Sequence, residues 1–565
     1  MPGRSRRARP VRALAAALAV ALLPAAATAA DPPRVATADG LGTLLVSFPG
    51  ALDADTVKAA IGRFGEPRAV APEAGIWSVR APADAGLRDR VLRAPGVRSA
   101  EWSLVRRVDE RARQPQAPAA PLPLTPVAPP TDEYYANGRQ WSLFPPATTW
   151  GVDLTGTPAR PRIAILDSGI DSTHPEWSGP ASPLVAPYSA WTRRQSAEDW
   201  GRTGHGTHVA GIAAAPINGI GVVGVAPGAR GVAEVIPVQI SDRDGYSTDE
   251  TMIRGIRWAV RNGAKVVNIS AGGVGSSPAF QRVVDWAFSS GALTVVSVGN
   301  DGEDYGAVNY PAGYRGVLGV AAQCSGAVTV PDCPTPYGLA RFSNRNASVD
   351  VVAPGVDIIS SVPPWVRQGM VSPGYAVKEG TSMAAPFVAG VAALVFAANP
   401  GATPSQVLRQ IKNTATDMGP RGRDASTGHG LVNPRAAVTL PLPVDDPHEA
   451  NSDIAAVRRV VAIVPPATLS AFIDVDDDPV DVYPVTVRAG QVLRMSARSS
   501  TARLRISYWP PGTRTITSGR PAATTRRASG APSLAVTASR SGRGYIVVRA
   551  AAGRGAYRLI LRRSR

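Results

Sequence analysis

Short apolar runs rich in β-branched residues alternate with helical stretches through the middle of the chain. The runs are Arg162 to Leu166, Val232 to Ile240, Ala264 to Ser270, Leu293 to Val298, Gly316 to Ala321 and Asp350 to Val352. Helical periodicity covers Gly206 to Ala215, Asp249 to Asn262, Ala279 to Ser290 and Ser382 to Ala398. Strands apolar on both faces need cover on both sides, so the pattern predicts an α/β fold with a mostly parallel central sheet between two helical layers.

The pattern differs on either side. Strand-like Thr43 to Phe48, Gly75 to Arg80 and Ala100 to Val108, with helices over Asp53 to Phe64 and Ala85 to Arg93, predict a small β-α-β-β-α-β unit. Pro115 to Pro130 holds seven prolines in sixteen residues and reads as a semi-rigid extended linker. After Pro441 the helical period stops. Val482 to Val487, Val492 to Ala497, Leu504 to Tyr508, Ser533 to Ala538, Tyr545 to Val548 and Ala556 to Leu561 predict a small β-sandwich.

The first thirty residues have another logic. Arg4 to Arg12 is a basic region, Ala13 to Leu23 an apolar run too short to span a bilayer, and Ala27-Thr28-Ala29 a small-residue cleavage site. Residues 1–30 thus read as a signal peptide, with a membrane anchor as the disfavoured alternative. No later segment reads as a span, and a secreted protein, extracellular or periplasmic, is expected. Arg6-Arg7 is followed by Ala-Arg-Pro rather than apolar residues, which favours ordinary secretion over the twin-arginine route.

Export gives Cys324 and Cys333 a meaning, since two cysteines nine apart in an oxidising compartment are expected to pair. Closing so short a loop is worth about 2.7 kcal/mol in the chain-entropy model, enough to staple a surface loop. Two cysteines exclude a zinc framework, and 44% hydrophobic residues exclude wholesale disorder.

The net charge of +17 is unevenly distributed. Residues 488–565 hold seventeen Arg and no Asp, Glu or Lys. A polyanion or cell-surface contact through this region is one reading; the other is an Arg bias from codon usage, since the whole chain has only four Lys.

Three segments carry chemistry: Ile163 to Ile170 with Asp167, Gly204 to Gly211 with His205, and Gly380 to Pro386 with Ser382. A serine hydroxyl is a poor nucleophile at neutral pH and needs a histidine to take its proton; that histidine needs a carboxylate to fix its tautomer. Asp167 ends an apolar run, while His205 and Ser382 each open a helix, whose N-terminal end favours a nascent oxyanion. A fourth segment, Val296 to Gly302, presents Asn300 as an amide donor for that oxyanion.

These four segments, in the order Asp, His, Asn, Ser, resemble the subtilisin family of serine endopeptidases over about residues 140–440. The resemblance implies Asp167 as orienting acid, His205 as general acid and base, Ser382 as nucleophile, and Asn300 with the Ser382 backbone N–H as oxyanion hole. His208 is expected to be structural, as are His174, His429 and His448. Ser270, Ala271, Gly272 and Gly273 resemble the strand that pairs with the substrate backbone, with Asp301 and Asn309 near the pocket for the residue before the cut. A basic side chain there is a weak expectation from Asp301.

The loop Asn218 to Val222 resembles the family's calcium loop, which implies a structural calcium held by Glu176, Asn218, Ile220 and Val222. Glu in place of Asp and a loop one residue shorter depart from that pattern, and a plain turn is the equal alternative. Asp474 to Asp478 reads as a solvated acidic loop. No cofactor is implied for catalysis.

The expected organisation is a signal peptide at 1–30, an inhibitory and chaperoning propeptide at 31–113, a linker at 114–133, the catalytic domain at 134–443 and an Arg-rich C-terminal β-sandwich at 444–565. The last resembles a bacterial pre-peptidase C-terminal domain. The expected partners are protein or peptide substrates and the chain's own propeptide, and a monomer is expected.

Overall fold

The structure is a computed structural model that describes residues 41–82, 84, 86–108, 111–112, 130–144, 160–180, 182–228, 232–302, 306–326, 331–443, 448, 451, 454, 457, 460–475, 479–516 and 520–564. The expected signal peptide, most of the Pro-rich linker and Asp476 to Asp478 lie outside the described residues.

The N-terminal unit runs β1 (Leu41–Ser47), α1 (Ala54–Ile61), β2 (Pro67–Ala71), β3 (Ile76–Pro82), α2 (Leu87–Leu92) and β4 (Ser99–Trp102), with sheet order β2-β3-β1-β4. Helix α1 starts at Asp53 because its carboxylate accepts the Thr56 N–H at 2.8 Å. Leu44, Val46, Phe48, Val57, Ile61 and Val79 close a small core under the sheet. The segment expected as one strand over Ala100 to Val108 is instead two. After β4 the chain breaks away, and β5 (Val105–Val108) and β6 (Arg111–Ala112) pair with strands of the next unit.

That next unit begins with α3 (Glu133–Ala136). Its central strands and helices are β7 (Arg162–Asp167), β8 (Tyr188–Ser189), α4 (His205–Ala214), β9 (Glu234–Gln239), β10 (Tyr246–Thr248), α5 (Asp249–Arg261), β11 (Ala264–Ile269), β12 (Ala271–Val274) and α6 (Pro278–Ser289). β13 (Leu293–Ser297), β14 (Asn309–Tyr310), β15 (Val317–Gln323), β16 (Val351–Pro354), β17 (Ile358–Ser361), β18 (Met370–Ser372) and β19 (Tyr375–Glu379) follow. The helices α7 (Thr381–Ala398), α8 (Pro404–Thr414) and α9 (Pro434–Thr439) complete it. Seven strands form one sheet, β16-β15-β13-β11-β7-β9-β8, and every neighbouring pair is parallel.

Ile163, Ile165, Val235, Val266 and Val295 face one helical layer, while Ala164, Leu166, Ile236, Val267 and Val296 face the other, which explains their unbroken apolar runs. The buried α7 is, among the described residues, the one helix long and apolar enough to cross a membrane; 94% of it is buried inside the fold, as a core helix would be. Cys324 and Cys333 are joined by a disulfide.

The N-terminal unit sits on α5 and α6. Glu101 accepts the Ala279 N–H at 2.6 Å and so occupies the start of α6, and Glu73 binds the Arg257 guanidinium through both oxygens, at 2.7 and 2.9 Å.

The last unit contains β20 (Ala467–Asp474), β21 (Val480–Val487), β22 (Val492–Arg498), β23 (Arg503–Trp509), β24 (Ala523–Thr524), β25 (Ser533–Thr537), β26 (Gly542–Ala552) and β27 (Arg554–Ser564). They form two four-stranded sheets, β20-β27-β22-β25 and β21-β26-β23-β24, closed over Leu493, Met495, Leu504, Ile506, Ile546 and Leu559. This is the expected sandwich. The Arg409 guanidinium of α8 lies 4.2 Å from the centre of the Phe472 ring, joining the two units.

Candidate active site

Asp167 is the last residue of β7, an interior strand of the parallel sheet, and has no solvent exposure. Its Oδ1 accepts both the Ser168 N–H and His205 Nδ1–H, each at 2.8 Å. The acceptor is a carboxylate, so the ring proton sits on Nδ1, and Nε2 is left as the basic nitrogen.

His205 opens α4 immediately after Gly204, whose φ of 62° lies in the left-handed region. The helix approaches the strand end so closely that a Cβ at Gly206 would lie 2.2 Å from the Gly169 carbonyl oxygen, so only glycine fits there.

A second buried carboxylate locks this junction. Asp199 accepts the Ser168 hydroxyl at 2.8 Å, the Gly201 N–H at 3.0 Å, and both the N–H and the hydroxyl of Thr207 at 3.0 and 2.7 Å; Ser168 Oγ in turn accepts the Gly206 N–H at 2.9 Å. Burial pushes the Asp199 carboxyl up to about 6, opposed by these hydrogen bonds. Asp199 ties the end of β7 to the start of α4 and so holds the Asp167–His205 pair in register. Only its spatial neighbours reveal this role, because it lies in a polar stretch with no motif.

Ser382 is the second residue of α7 and is buried. Its hydroxyl donates to the Ser270 carbonyl at 3.3 Å, and the Ser270 hydroxyl donates to the Ser382 carbonyl at 2.9 Å, so the helix start is fastened to the strand expected to bind substrate. Asn300 follows β13. Its Oδ1 accepts the Thr381 N–H at 2.8 Å and the Thr381 hydroxyl at 2.9 Å. A backbone N–H can only donate, which identifies that atom as oxygen and makes Nδ2 the donor end of the amide. Asn300 is therefore anchored against the residue preceding Ser382.

Ala271, Gly272 and Gly273 belong to β12, which lies between β14 and the chain's own β5; β5 is antiparallel to it, with Val108 opposite Ala271 and Arg107 opposite Gly272. On its other edge β5 pairs with β10, Tyr246 opposite Arg107. Further along, Arg111 pairs with Glu379, three residues before Ser382. Asp301 and Asn309 meet beside Asn300: Asp301 Oδ2 accepts amide hydrogens from Asn309 and Asn344, both at 2.9 Å. The Asp301 carboxylate thus organises two side chains of the fold.

His208 and His174 are held within the fold by hydrogen bonds on their ring nitrogens. His208 Nε2 donates to the carbonyls of Ile358 and Ala376, both at 3.1 Å, and complete burial holds its pKa well below the ordinary value. His174 accepts the Glu176 N–H on Nδ1 at 3.1 Å and donates from Nε2 to the Gly374 carbonyl at 2.9 Å.

The expected calcium ligands come together but do not fit a cation. Calcium needs oxygens converging on one point. Here hydrogen donors converge on the Glu176 carboxylate instead: Val222 N–H at 2.9 Å, Tyr375 O–H at 3.1 Å and Asn218 Nδ2–H at 3.0 Å. Asn218 Oδ1 is turned to the Ile220 N–H at 3.0 Å. The carboxylate itself fills the loop, lying 2.3 Å from where a Cβ on Gly221 would stand. The extra methylene of Glu over Asp lets it reach this far.

Burial raises Glu176 from 4.5 to about 7, partly offset by the Val222 N–H. A carboxyl that binds its proton more tightly folded than unfolded stabilises the fold fully below pH 4.5, and that contribution is lost as pH rises through about 7. The full loss is about 3 kcal/mol. Thermal unfolding of Glu176→Gln should match the parent near pH 5 and exceed it at pH 8, and neither should respond to calcium or chelator. A calcium-dependent rise in the parent's Tm would contradict this account of the loop.

A buried carboxylate, a histidine it orients and a serine at a helix N-terminus, all at the carboxyl ends of a parallel sheet, are the parts that a nucleophilic serine hydrolase of the α/β kind requires. Comparison with known proteins narrows the class. The profile described as "Subtilase family" matches residues 159–430. M-protease of Shouchella clausii is 35% identical over 317 residues, covering 54% of this chain and 74% of that protein. Subtilisin of Bacillus pumilus is 37% identical over 280 residues, 49% of this chain and 90% of that protein. Fervidolysin of Fervidobacterium pennivorans is 39% identical over 304 residues, 50% of this chain but only 41% of its own length.

The crystal structure of fervidolysin, described as a keratinolytic enzyme related to subtilisin, superposes with a TM-score of 0.61 over 89% of this chain and 84% of that one, at 24% identity, and shows the shared fold. The chain belongs to the subtilase family of subtilisin-like serine peptidases.

Proposed function

We propose that the chain is a secreted serine endopeptidase made as a zymogen, in which Ser382 is the nucleophile, His205 the general base, Asp167 the orienting acid and Asn300 an oxyanion donor. The observation that carries this reading is the course of the chain's own polypeptide. It lies as an extended strand on Ala271 and Gly272 and pairs again at Glu379, three residues before Ser382, the kind of pairing a peptide substrate would make.

In the proposed reaction Ser382 Oγ attacks the carbonyl carbon of the scissile peptide while His205 Nε2 takes the hydroxyl proton. The carbonyl oxygen becomes an oxyanion, met by the Ser382 N–H and Asn300 Nδ2–H. Collapse breaks the C–N bond, and the imidazolium gives its proton to the leaving amine. Water, deprotonated by His205, then hydrolyses the acyl ester. Asp167 stabilises the imidazolium through the Nδ1 bond described above.

The N-terminal unit acts in this reading as a propeptide. Its sheet covers α5 and α6, and β5 holds the substrate-binding edge, which makes it an inhibitor until the connection is cut. Hydrolysis of casein by the processed protein, blocked by a serine-directed phosphonate, tests the proposal.

A second proposal concerns the C-terminal sandwich, as a polyanion-binding module. On one sheet face Arg494 stands opposite Arg562 and Arg498 opposite Arg558, all four exposed. Like charges in register destabilise a sheet, so an anionic partner would relieve them. Full-length Ser382→Ala protein should be retained on a sulfated polymer column and elute with salt, and replacing these four Arg by Gln should lower the eluting salt concentration. Retention insensitive to salt would refute this reading.

A further inference from the structure

Arg106 is among the largest fully buried side chains of the molecule, with 1% exposure, although it belongs to the strand that leaves the N-terminal unit. Its guanidinium enters a pocket beside β12. Nε donates to Asp249 Oδ1 at 2.7 Å, one terminal nitrogen to the carbonyls of Gly273 and Val274 at 2.7 and 3.1 Å, and the other to the Gly275 carbonyl at 2.8 Å. Asp249 is the first residue of α5, is itself fully buried, and accepts the Leu104 N–H through Oδ2 at 3.3 Å. The Cδ of Arg106 lies 3.7 Å from where a Cβ on Gly273 would stand, so the stem packs against that glycine in van der Waals contact.

This pocket belongs to the catalytic unit, whereas the arginine that fills it is delivered by β5. If β5 stands where a substrate stands, as the proposed function has it, the pocket passes to the substrate once β5 departs. We infer that Asp249, with the carbonyls of Gly273, Val274 and Gly275, makes the processed protease select peptides that carry arginine at the position of Arg106. A buried carboxylate facing three backbone carbonyls lacks any donor of its own for a neutral side chain. Arginine offers five N–H donors in a planar fork that spans all four acceptors, whereas the compact ammonium of lysine does not. An apolar residue would leave the carboxylate buried without a counter-charge, which is strongly unfavourable.

The register places the reading point relative to the cut. A peptide following this path is cleaved between the residue opposite Ala271, held here by Val108, and the residue opposite Glu379, held by Arg111. Arginine is then read at the third, fourth or fifth residue before the scissile bond. Strand alternation puts the side chains of residues 106 and 108 on one face and that of 107 on the other. Arg107 instead lies over the Tyr246 ring, 5.7 Å from its centre, on the exposed side.

The test uses the processed wild-type protein and a peptide set in which each upstream position is in turn Arg, Lys, citrulline or Leu, with products mapped by mass. Arginine at one fixed position, three to five residues before the cut, should raise kcat/KM about a hundredfold over leucine, with lysine and citrulline well below arginine. Asp249→Asn, which keeps an acceptor for Leu104, should lose most of that preference. Because the wild-type series alone reads the preference, a variant that fails to fold does not decide the matter. Cleavage at equal rates whatever the upstream residue would overturn the pocket and leave the protease reading standing. Failure to cleave any peptide, arginine-bearing ones included, would remove the protease reading and this inference with it.

Discussion

Ser382→Ala should abolish peptide hydrolysis, by a factor of about 10⁶ in kcat, the scale on which a subtilisin responds to loss of its triad serine. In the proposed mechanism the variant removes the atom that bonds to the substrate carbonyl carbon, and an alanine methyl offers no nucleophile in its place. Its fold should survive. The hydroxyl's bond to the Ser270 carbonyl is long, 3.3 Å, while the helix start remains tied by the Ser270 hydroxyl and by Thr381 on Asn300. Losing one such bond costs about 1 kcal/mol, a shift of a few degrees in Tm at most. The variant should also stay at full length where the parent is cut. Retained hydrolysis at the parental rate, with fold intact, would refute Ser382 as nucleophile.

Asp167→Asn should cost about 10⁴ in kcat at neutral pH, the size found when a triad aspartate is made an amide. The carboxylate accepts at Oδ1 from both Ser168 N–H and His205 Nδ1–H. An asparagine oxygen at the Oδ1 position can still accept both hydrogens, but the neutral amide brings no negative charge to the imidazolium that forms when His205 takes the serine proton. The shape of the site is unchanged, so substrate affinity should change little while kcat falls. A loss confined to KM would contradict the role given to Asp167.

The central sheet could be read almost strand for strand from the sequence. Burial on both faces makes each of its strands an uninterrupted apolar run, and the helices between them begin at recognisable caps or glycines. The short helices α8 and α9 are absent from that reading, although Thr403 and Gln406 form a capping box at the start of α8. Their apolar positions are few, and their burial comes from packing on α7.

The split of Ala100 to Val108 was also invisible, because local alternation is the same whether a strand pairs within its own unit or crosses to another. The same blindness hides the Arg106–Asp249 pair, whose members lie far apart in sequence. Read locally, Arg106 is one of two adjacent arginines and Asp249 an ordinary acidic residue in a first helical turn. Asp167, His205, Asn300 and Ser382 stand out in the sequence because each sits near a strand or helix end with a distinctive glycine neighbourhood. The loop compared with a calcium loop differs for a metric reason: one added methylene lets the Glu176 carboxylate reach the Val222 N–H, the Tyr375 hydroxyl and the Asn218 amide.

The most direct test of the central claim is to react the processed wild-type protein with a serine-directed phosphonate and locate the adduct by peptide mass mapping while following hydrolysis. One adduct per molecule, on Ser382, rising in step with loss of activity, is the predicted result. Full inhibition with the adduct on another residue, or hydrolysis that persists with Ser382 fully labelled, would contradict it.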